Sequence, residues 1–348
     1  MPFFPQNRLG TLQGIGFVTS IALLSTLISQ TNIAESLGIS PLVVGIVIGI
    51  LFANTLHHTM PKAWEMGITF SAKKILRFAI VVYGFRITFQ EIANVGLEGF
   101  LVSLIMLTST FLLGTWLGTK IFKMEEDTSM LTASGASVCG AAAVLATEPV
   151  VKAEEHKAAI AVSMVVLFGT IAMFLYPILY TSGILDMSAK EFGIYVGGTI
   201  HEVAQVVAVP ASIPNLSEEA ANTAVIVKMT RVIMIAPMLI ILGVYLSYRA
   251  NKGTQGSSAT KLVIPWFAVY FIGVAGFNSL QLIPQNIVDI INEIDTFLLT
   301  MAMTALGIGT RFAKFKGLGV APIYTALGMF AWLVIAGYFI TKVVCNLI

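Results

Sequence analysis

The chain has 348 residues, of which 57% are hydrophobic and 11% charged, and its mean hydropathy is +0.88. A soluble domain carries about 25% charged residues to wet its surface, so this composition excludes a water-soluble enzyme and points to an all-α polytopic membrane protein. A net charge of +2 gives no ground for nucleic-acid binding, and the two distant cysteines, Cys139 and Cys345, offer neither a disulfide framework nor metal-ligand spacing.

A bilayer core about 30 Å thick takes roughly 20 helical residues. Eleven apolar runs meet that need, at approximately 10–29, 40–56, 72–89, 97–119, 128–150, 158–180, 190–209, 222–247, 261–280, 290–309 and 319–344. The segment Met1–Gly10 holds one arginine and two prolines, and no Ala-x-Ala-like site follows, so the first run reads as a span and not as a removed signal peptide. Connections are short. The most loop-like is Ala250–Thr260, with Gly253, Gly256 and paired serines, a candidate seam in a single transmembrane domain covering 1–348. Inverted halves would fall at about 40–180 and 190–348.

Basic residues sort unevenly across these connections. With the N-terminus in the cytoplasm, the inner segments hold Arg8, Lys62, Lys73, Lys74, Arg77, Lys120, Lys123, Lys190, Arg249, Lys252, Lys261, Arg311, Lys314 and Lys316, which is 14. The outer segments hold four: Arg86, Lys152, Lys157 and Lys342. Retention of Lys and Arg on the cytoplasmic side accounts for this asymmetry and favours eleven spans.

One internal repeat is visible at an offset of 223. Tyr83–Phe89 resembles Leu306–Phe312, and Gly84, Phe89, Gly96 and Gly114 match Gly307, Phe312, Gly319 and Gly337. Spans seven apart run in opposite directions, as in the inverted repeats of secondary transporters. Glycine is common here, and coincidence is the competing explanation.

Three runs carry polar chemistry. In the fifth, Thr132–Ala143 is dominated by small residues, with Ser134, Gly135, Ser137, Cys139 and Gly140 in mid-run. Small residues allow close helix packing, and paired glycines also break a helix and leave N–H groups that bind anions. In the seventh, Gly197 and Gly198 precede His201 and Glu202, with Gln205 beyond on the helical face of His201. Ionisable groups inside a membrane are costly and line cavities or proton paths; an interhelical network is the bland alternative. His201 titrates near neutral pH in water, which makes it and Glu202 candidates for proton coupling. The eighth run holds Lys228 and Arg231, neighbours on one helix surface. They are either anion ligands, with Arg231 suited to bidentate oxyanion contacts, or partners of Glu202. Glu218 and Glu219 sit where a helix N-terminus favours acids. Glu148, Lys152, Glu154, Glu155, His156 and Lys157 read as a solvated connection, His57 and His58 as interfacial, and Glu293 and Asp295 as caps of the tenth helix.

Ser134–Ala143, Gly197–Gln205 and Ala305–Phe312 together resemble the YeiH-type sulfate exporter family of bacteria, over nearly the whole chain. That resemblance implies an inner-membrane protein with ten or eleven spans, similar in broad architecture to bile-acid:sodium symporters and sodium/proton antiporters, with inverted repeats and discontinuous helices. It carries no settled list of binding residues. The site expected from this sequence is therefore Ser134, Gly135, Ser137, Cys139, Gly140, His201, Gln205, Lys228 and Arg231 for a small anion such as sulfate, with His201 and Glu202 for coupling. A homodimer is expected from the architecture alone, and no cofactor is implied. No Gly-x-x-x-x-Gly-Lys-Ser/Thr motif occurs, so an ATP-driven pump is disfavoured. A sodium- or proton-coupled cation antiporter is the alternative; it wants several mid-membrane acids, and only Glu202 qualifies. An intramembrane enzyme pairing Cys139 or Ser137 with His201 is third. One feature of the eleven-span reading conflicts with inverted symmetry: runs five and seven point the same way.

Overall fold

The computed structural model of the protein describes residues 8–31, 40–251, 266–311, 313 and 319–348. Residues 252–260 of the expected seam, Lys252, Lys261, Lys314, Lys316 and Phe312 lie outside them. An apolar chain with no water to satisfy its backbone must satisfy it internally, and the described residues form α-helices with short 3₁₀ and π turns and no strand. In chain order these are α1 Arg8–Ser29, α2 Pro41–Thr55, α3 Glu65–Phe70, α4 Leu76–Tyr83, α5 Phe89–Trp116, α6 Glu126–Ser137, α7 Ala141–Val151, α8 Glu155–Thr181, α9 Ala189–Thr199, α10 Val203–Ala211, α11 Glu218–Ile233, α12 Ile235–Asn251, α13 Trp266–Ser279, α14 Gln285–Gly309 and α15 Val320–Leu347. Among the described residues, five stretches are long and apolar enough to cross a membrane, by length and composition: Arg8–Ser29, Phe89–Ile121, His156–Thr181, Glu218–Arg249 and Val320–Leu347.

The described residues fall into two compact units, interleaved along the chain. The first draws on 1–94, 207–218 and 266–315, the second on 95–206, 219–265 and 316–348.

In the first unit α2 packs along α14 with no room for side chains between them. A Cβ on Gly49 would stand 2.5 Å from the Thr304 carbonyl oxygen and 2.9 Å from the Ile308 nitrogen. Small residues at such a seam let two helices gain dispersion contacts where lipid removes the hydrophobic drive. Asp295 corrects an expectation here. It lies eleven residues into α14, fully buried, and not at a cap. Its carboxylate takes the Arg86 Nε at 3.3 Å, while Arg86 Nη2 donates to the Asn292 carbonyl at 2.5 Å and to Thr296 Oγ1 at 2.7 Å. Arg86 also lies 5.2 Å over the Tyr83 ring.

In the second unit the fifth apolar run is not one straight helix. Thirteen helical residues at 1.5 Å each would hold Ser134 and Thr147 about 20 Å apart, yet their hydroxyls meet at 2.6 Å. The chain therefore turns at Val138–Gly140, and α7 returns beside α6. Both limbs pack on α8 through Leu131, Val144, Ala158, Ala161 and Val165. At the open end Lys157, from the first turn of α8, binds Asp127 at 2.7 Å and also Glu125. The start of α6 and the start of α8 thus share one end of the unit.

The seventh run behaves likewise. Helix α9 runs antiparallel to α8, with Phe192 4.1 Å from Tyr180 and Tyr195 stacked 4.8 Å from Tyr176. It runs parallel to α11, because Gly193 abuts Ala220 and Thr223 while Gly197 abuts Ala224 and Val227. The chain turns at Ile200–Glu202: Thr199 meets Tyr176 of α8, the Glu202 side chain lies with Val165 at Gly140, and Gln205 comes back along α8 to Gly169.

The two hairpins enter from opposite ends of the unit. At one end are Glu125, Asp127 and Lys157, together with an ion pair of Glu126 and Arg249. At the other, Lys190 meets Glu98 at 2.9 Å and Lys342 meets Glu191 at 3.3 Å. The eleven-span reading puts Lys190 and Glu98 on opposite faces, as it does Lys157 and Asp127. The ion pairs instead bring each of these couples to a shared end of the unit, and Lys157 is a paired residue, not part of a solvated connection.

The repeat at offset 223 has a local structural counterpart. Gly96 and Gly319 both have positive φ, 44° and 79°, and both precede the long stretch of a helix.

Candidate functional site

Each hairpin is two half-helices, and each first limb ends in carbonyl groups that no later turn of helix can satisfy. The aligned peptides give that end a partial negative charge. Residue types at the breaks explain why they occur where they do. Gly140 has φ 75° and ψ −135°, a conformation open to glycine and strained for other residues. At the second tip Ile200 leaves the helix for extended backbone, φ −71° and ψ 148°.

Lys228 and Arg231, on adjacent turns of α11, fill the gap between the tips. Both are completely buried. The Lys228 ammonium donates to the carbonyl oxygens of Val138, Ile200 and His201, each at 2.7 Å, and so uses all three of its protons. Arg231 donates from Nε to Ser137 O at 3.1 Å, from Nη1 to Gly198 O at 2.6 Å, and from Nη2 to Ala136 O at 3.2 Å and to Ser137 O. An isolated buried cation is prohibitively expensive. These two are compensated by the negative ends of α6 and α9, which are compensated in turn.

The tips also touch each other. A Cβ on Gly140 would stand 2.5 Å from Glu202 Cγ and 3.0 Å from its Oε1, so the Glu202 side chain from the second tip lies on the first. Gln205 accepts from the Glu202 backbone N–H at 3.1 Å and lies against Gly169 of α8, while its Nε2 has no partner within the described residues. The same is true of His201 Nδ1, on a side chain 3% exposed.

The expected site residues therefore separate into two groups. Ser134 and Gly135 knit the limbs of the first hairpin, Ser134 through Thr147 and the Ala143 carbonyl, Gly135 by admitting Val144 and Val165. Ser137 contributes its backbone carbonyl to Arg231, and its hydroxyl donates to Ser134 O at 3.3 Å. Cys139, Gly140, His201, Glu202, Gln205, Lys228 and Arg231 converge on the tips. The backbone carbonyls of Val138, Ile200 and Gly198, and Gly169 opposite Gln205, were not among the expected residues. Counting the carbonyls a broken helix leaves over would have pointed to the first three.

Two half-membrane hairpins meeting around buried cations, in a chain with five bilayer-length apolar helices, define a polytopic helical membrane protein with a polar centre. Comparison with known proteins is consistent with that class. The chain belongs to the family described as Conserved hypothetical protein 698, whose profile matches residues 13–326. It is 47% identical over 331 residues to a UPF0324 membrane protein of Bordetella pertussis, covering 95% of this chain and 94% of the relative. It is 45% identical to a UPF0324 membrane protein of Pseudomonas putida, with 95% and 93% covered. It is 46% identical to the UPF0324 inner membrane protein YeiH of Escherichia coli K12, over 89% and 88%. No solved structure matches the chain.

Proposed function

We propose that the protein is a secondary transporter that moves a small oxyanion, of the sulfate class, across the bacterial inner membrane by alternating access. The observation that carries this reading is the meeting of two oppositely entering hairpins at Lys228 and Arg231. Non-helical backbone at membrane depth is tolerated where it lines a cavity, and broken helices in transporters place their ends on substrate and coupling ions. The second limbs, α7 and α10, begin at the tips, and their N-termini supply the donors that favour an anion. With the negative ends neutralised by the two cations, the site as a whole is biased toward negative ligands. Ser137, Cys139, Gly140, His201 and Gln205 would surround the anion, with Lys228 and Arg231 holding the tips and His201 or Glu202 coupling protons. No residue is assigned a catalytic role.

Nine of the eleven apolar runs would then cross and two re-enter. On this count Lys152 and Lys157 join the basic side and Lys190 leaves it, so the asymmetry rises from 14 against 4 to 15 against 3. That supports a cytoplasmic N-terminus.

Purified protein in liposomes, offered labelled sulfate, sulfite or taurine with and without a proton gradient, tests the reading. Protein-dependent uptake of one anion over the others is expected. Uptake equal to that of empty liposomes for every anion refutes it. Sodium uptake abolished by Glu202→Gln would favour cation antiport instead.

A further inference from the structure

We infer that the Glu202 carboxylate is a built-in occupant of the anion site, a tethered stand-in that the transported anion must displace. The inference rests on the transporter reading and assigns this one side chain a role within it.

Three features converge. The first is position. Glu202 belongs to the second tip, yet its Cγ and Oε1 lie against Gly140 of the first, the residue immediately before the N-terminal turn of α7. Ala141 and Ala142 open that turn, where a helix leaves N–H donors over and carries partial positive charge. A carboxylate is the side chain that such an end attracts.

The second is shape. Gly140 combines a left-handed φ of 75° with the absence of a Cβ, and a Cβ there would drive into Glu202. The first tip is thus moulded around the incoming acid. Any other residue at 140 would have to expel it.

The third is the set of polar atoms left over around it, of which the Gln205 amide N–H is a donor. His201 Nδ1 and Gln205 Nε2 are buried and lack partners in the described residues, while Gln205 Oε1 holds the Glu202 backbone N–H at 3.1 Å. Gln205 is wedged on Gly169, one helical turn along α8 from Val165, and Val165 is the residue that touches Gly140. An unpaired buried amide N–H is costly, and a ligand carrying several oxygens can engage such donors where one carboxylate has not. The tip is satisfied for charge by Glu202 and remains unsatisfied for hydrogen bonds. That combination suits a site that waits on a multi-oxygen anion.

Displacement makes a prediction that a purely structural Glu202 does not. Neutralising it should raise the affinity for the anion. The test uses full-length protein in detergent at constant ionic strength, with sulfate as the probe, chloride as the control, and thermal unfolding as the readout. In Glu202→Gln the sulfate concentration giving the half-maximal shift should fall on the order of 10-fold relative to the wild type, the size of a tethered charge competitor worth one decade of affinity. Glu202→Asp, whose shorter arm draws the carboxylate back from Gly140, should bind sulfate more tightly than the wild type and less tightly than Glu202→Gln. Should Glu202→Gln fail to fold, the Asp variant alone decides. Unchanged or weaker sulfate binding in the folded variants, with the wild type responding, overturns the inference and leaves the transporter reading in place. No sulfate-specific shift in any of the three proteins removes the oxyanion reading, and the inference with it.

Discussion

Replacing Lys228 by methionine is the sharpest test of how the tips are held. Methionine keeps most of the side-chain volume and removes the ammonium. Three carbonyls from two tips, those of Val138, Ile200 and His201, lose a donor at 2.7 Å in one step. A hydrogen bond to a charged group contributes about 1.5–3 kcal/mol, and a buried acceptor left alone costs about 1–3 kcal/mol. Against this stands the desolvation of a buried ammonium, which the variant no longer suffers. Removing one member of a compensated buried charge set destabilises by about 3–5 kcal/mol after these terms offset. At on the order of 2 °C per kcal/mol for a chain of this size, the melting temperature in detergent should fall about 6–10 °C. The assay is intrinsic-fluorescence unfolding beside Arg249→Gln, whose pair with Glu126 is about half exposed and which is expected to shift less than about 2 °C, since exposed pairs contribute little. A Lys228→Met protein that melts with the wild type would refute the claim that the ammonium joins the tips.

Hairpin topology is testable with single cysteines at Glu125 and Glu154, in a background of Cys139→Ala and Cys345→Ser. Both should be labelled by an impermeant thiol reagent from the same side of the membrane, whereas a crossing fifth run puts them on opposite sides. Gly49→Ala, which forces a methyl onto the backbone of α14, should destabilise by about 1–3 kcal/mol, while Gly16→Ala, with nothing within 4 Å, should not; melting curves separate the two. Asp295→Ala removes the one acid that Arg86 Nε meets and leaves its bonds to the Asn292 carbonyl and Thr296 in place. Because Arg86 is a quarter exposed, the loss should be about 2–3 kcal/mol, below the range for fully buried pairs, and a melting temperature equal to the wild type would show the pair to be dispensable.

Much of the centre could be read from the sequence, and the reason is local. Glycines inside an apolar run need not break a helix, as Gly49 and Gly197 show, but clusters of glycine and polar side chains mark where one can break, and both breaks fall within such clusters, at 134–140 and 197–205. What the chain does after an interruption is not local. Limbs of 12 and 11 residues on either side of a turn have the same hydropathy as one continuous span, and a window of apolar residues does not record direction. Pairing of charges does record it, since Lys190 with Glu98 and Lys157 with Asp127 each demand a shared end. Arg231 shows the other limit. Its residue type invited an anion as partner, but the carbonyls of Ala136, Ser137 and Gly198 stand closer in the fold, and backbone groups carry no sequence signature. Asp295 looked like a helix start because the apolar run begins only at Ile290, five residues after α14 does.

One helix, α11, carries both cations, and each cation divides its bonds between the two tips. Lys228 gives one to the first and two to the second, while Arg231 gives the larger share to the first. Neither hairpin can be withdrawn without stranding donors still gripped by the other, so the paired hairpins and their shared helix are coupled like a bolt through two hasps. On the transporter proposal, any passage opened at one end would have to carry the whole assembly along, which would keep it from standing open at both ends at once.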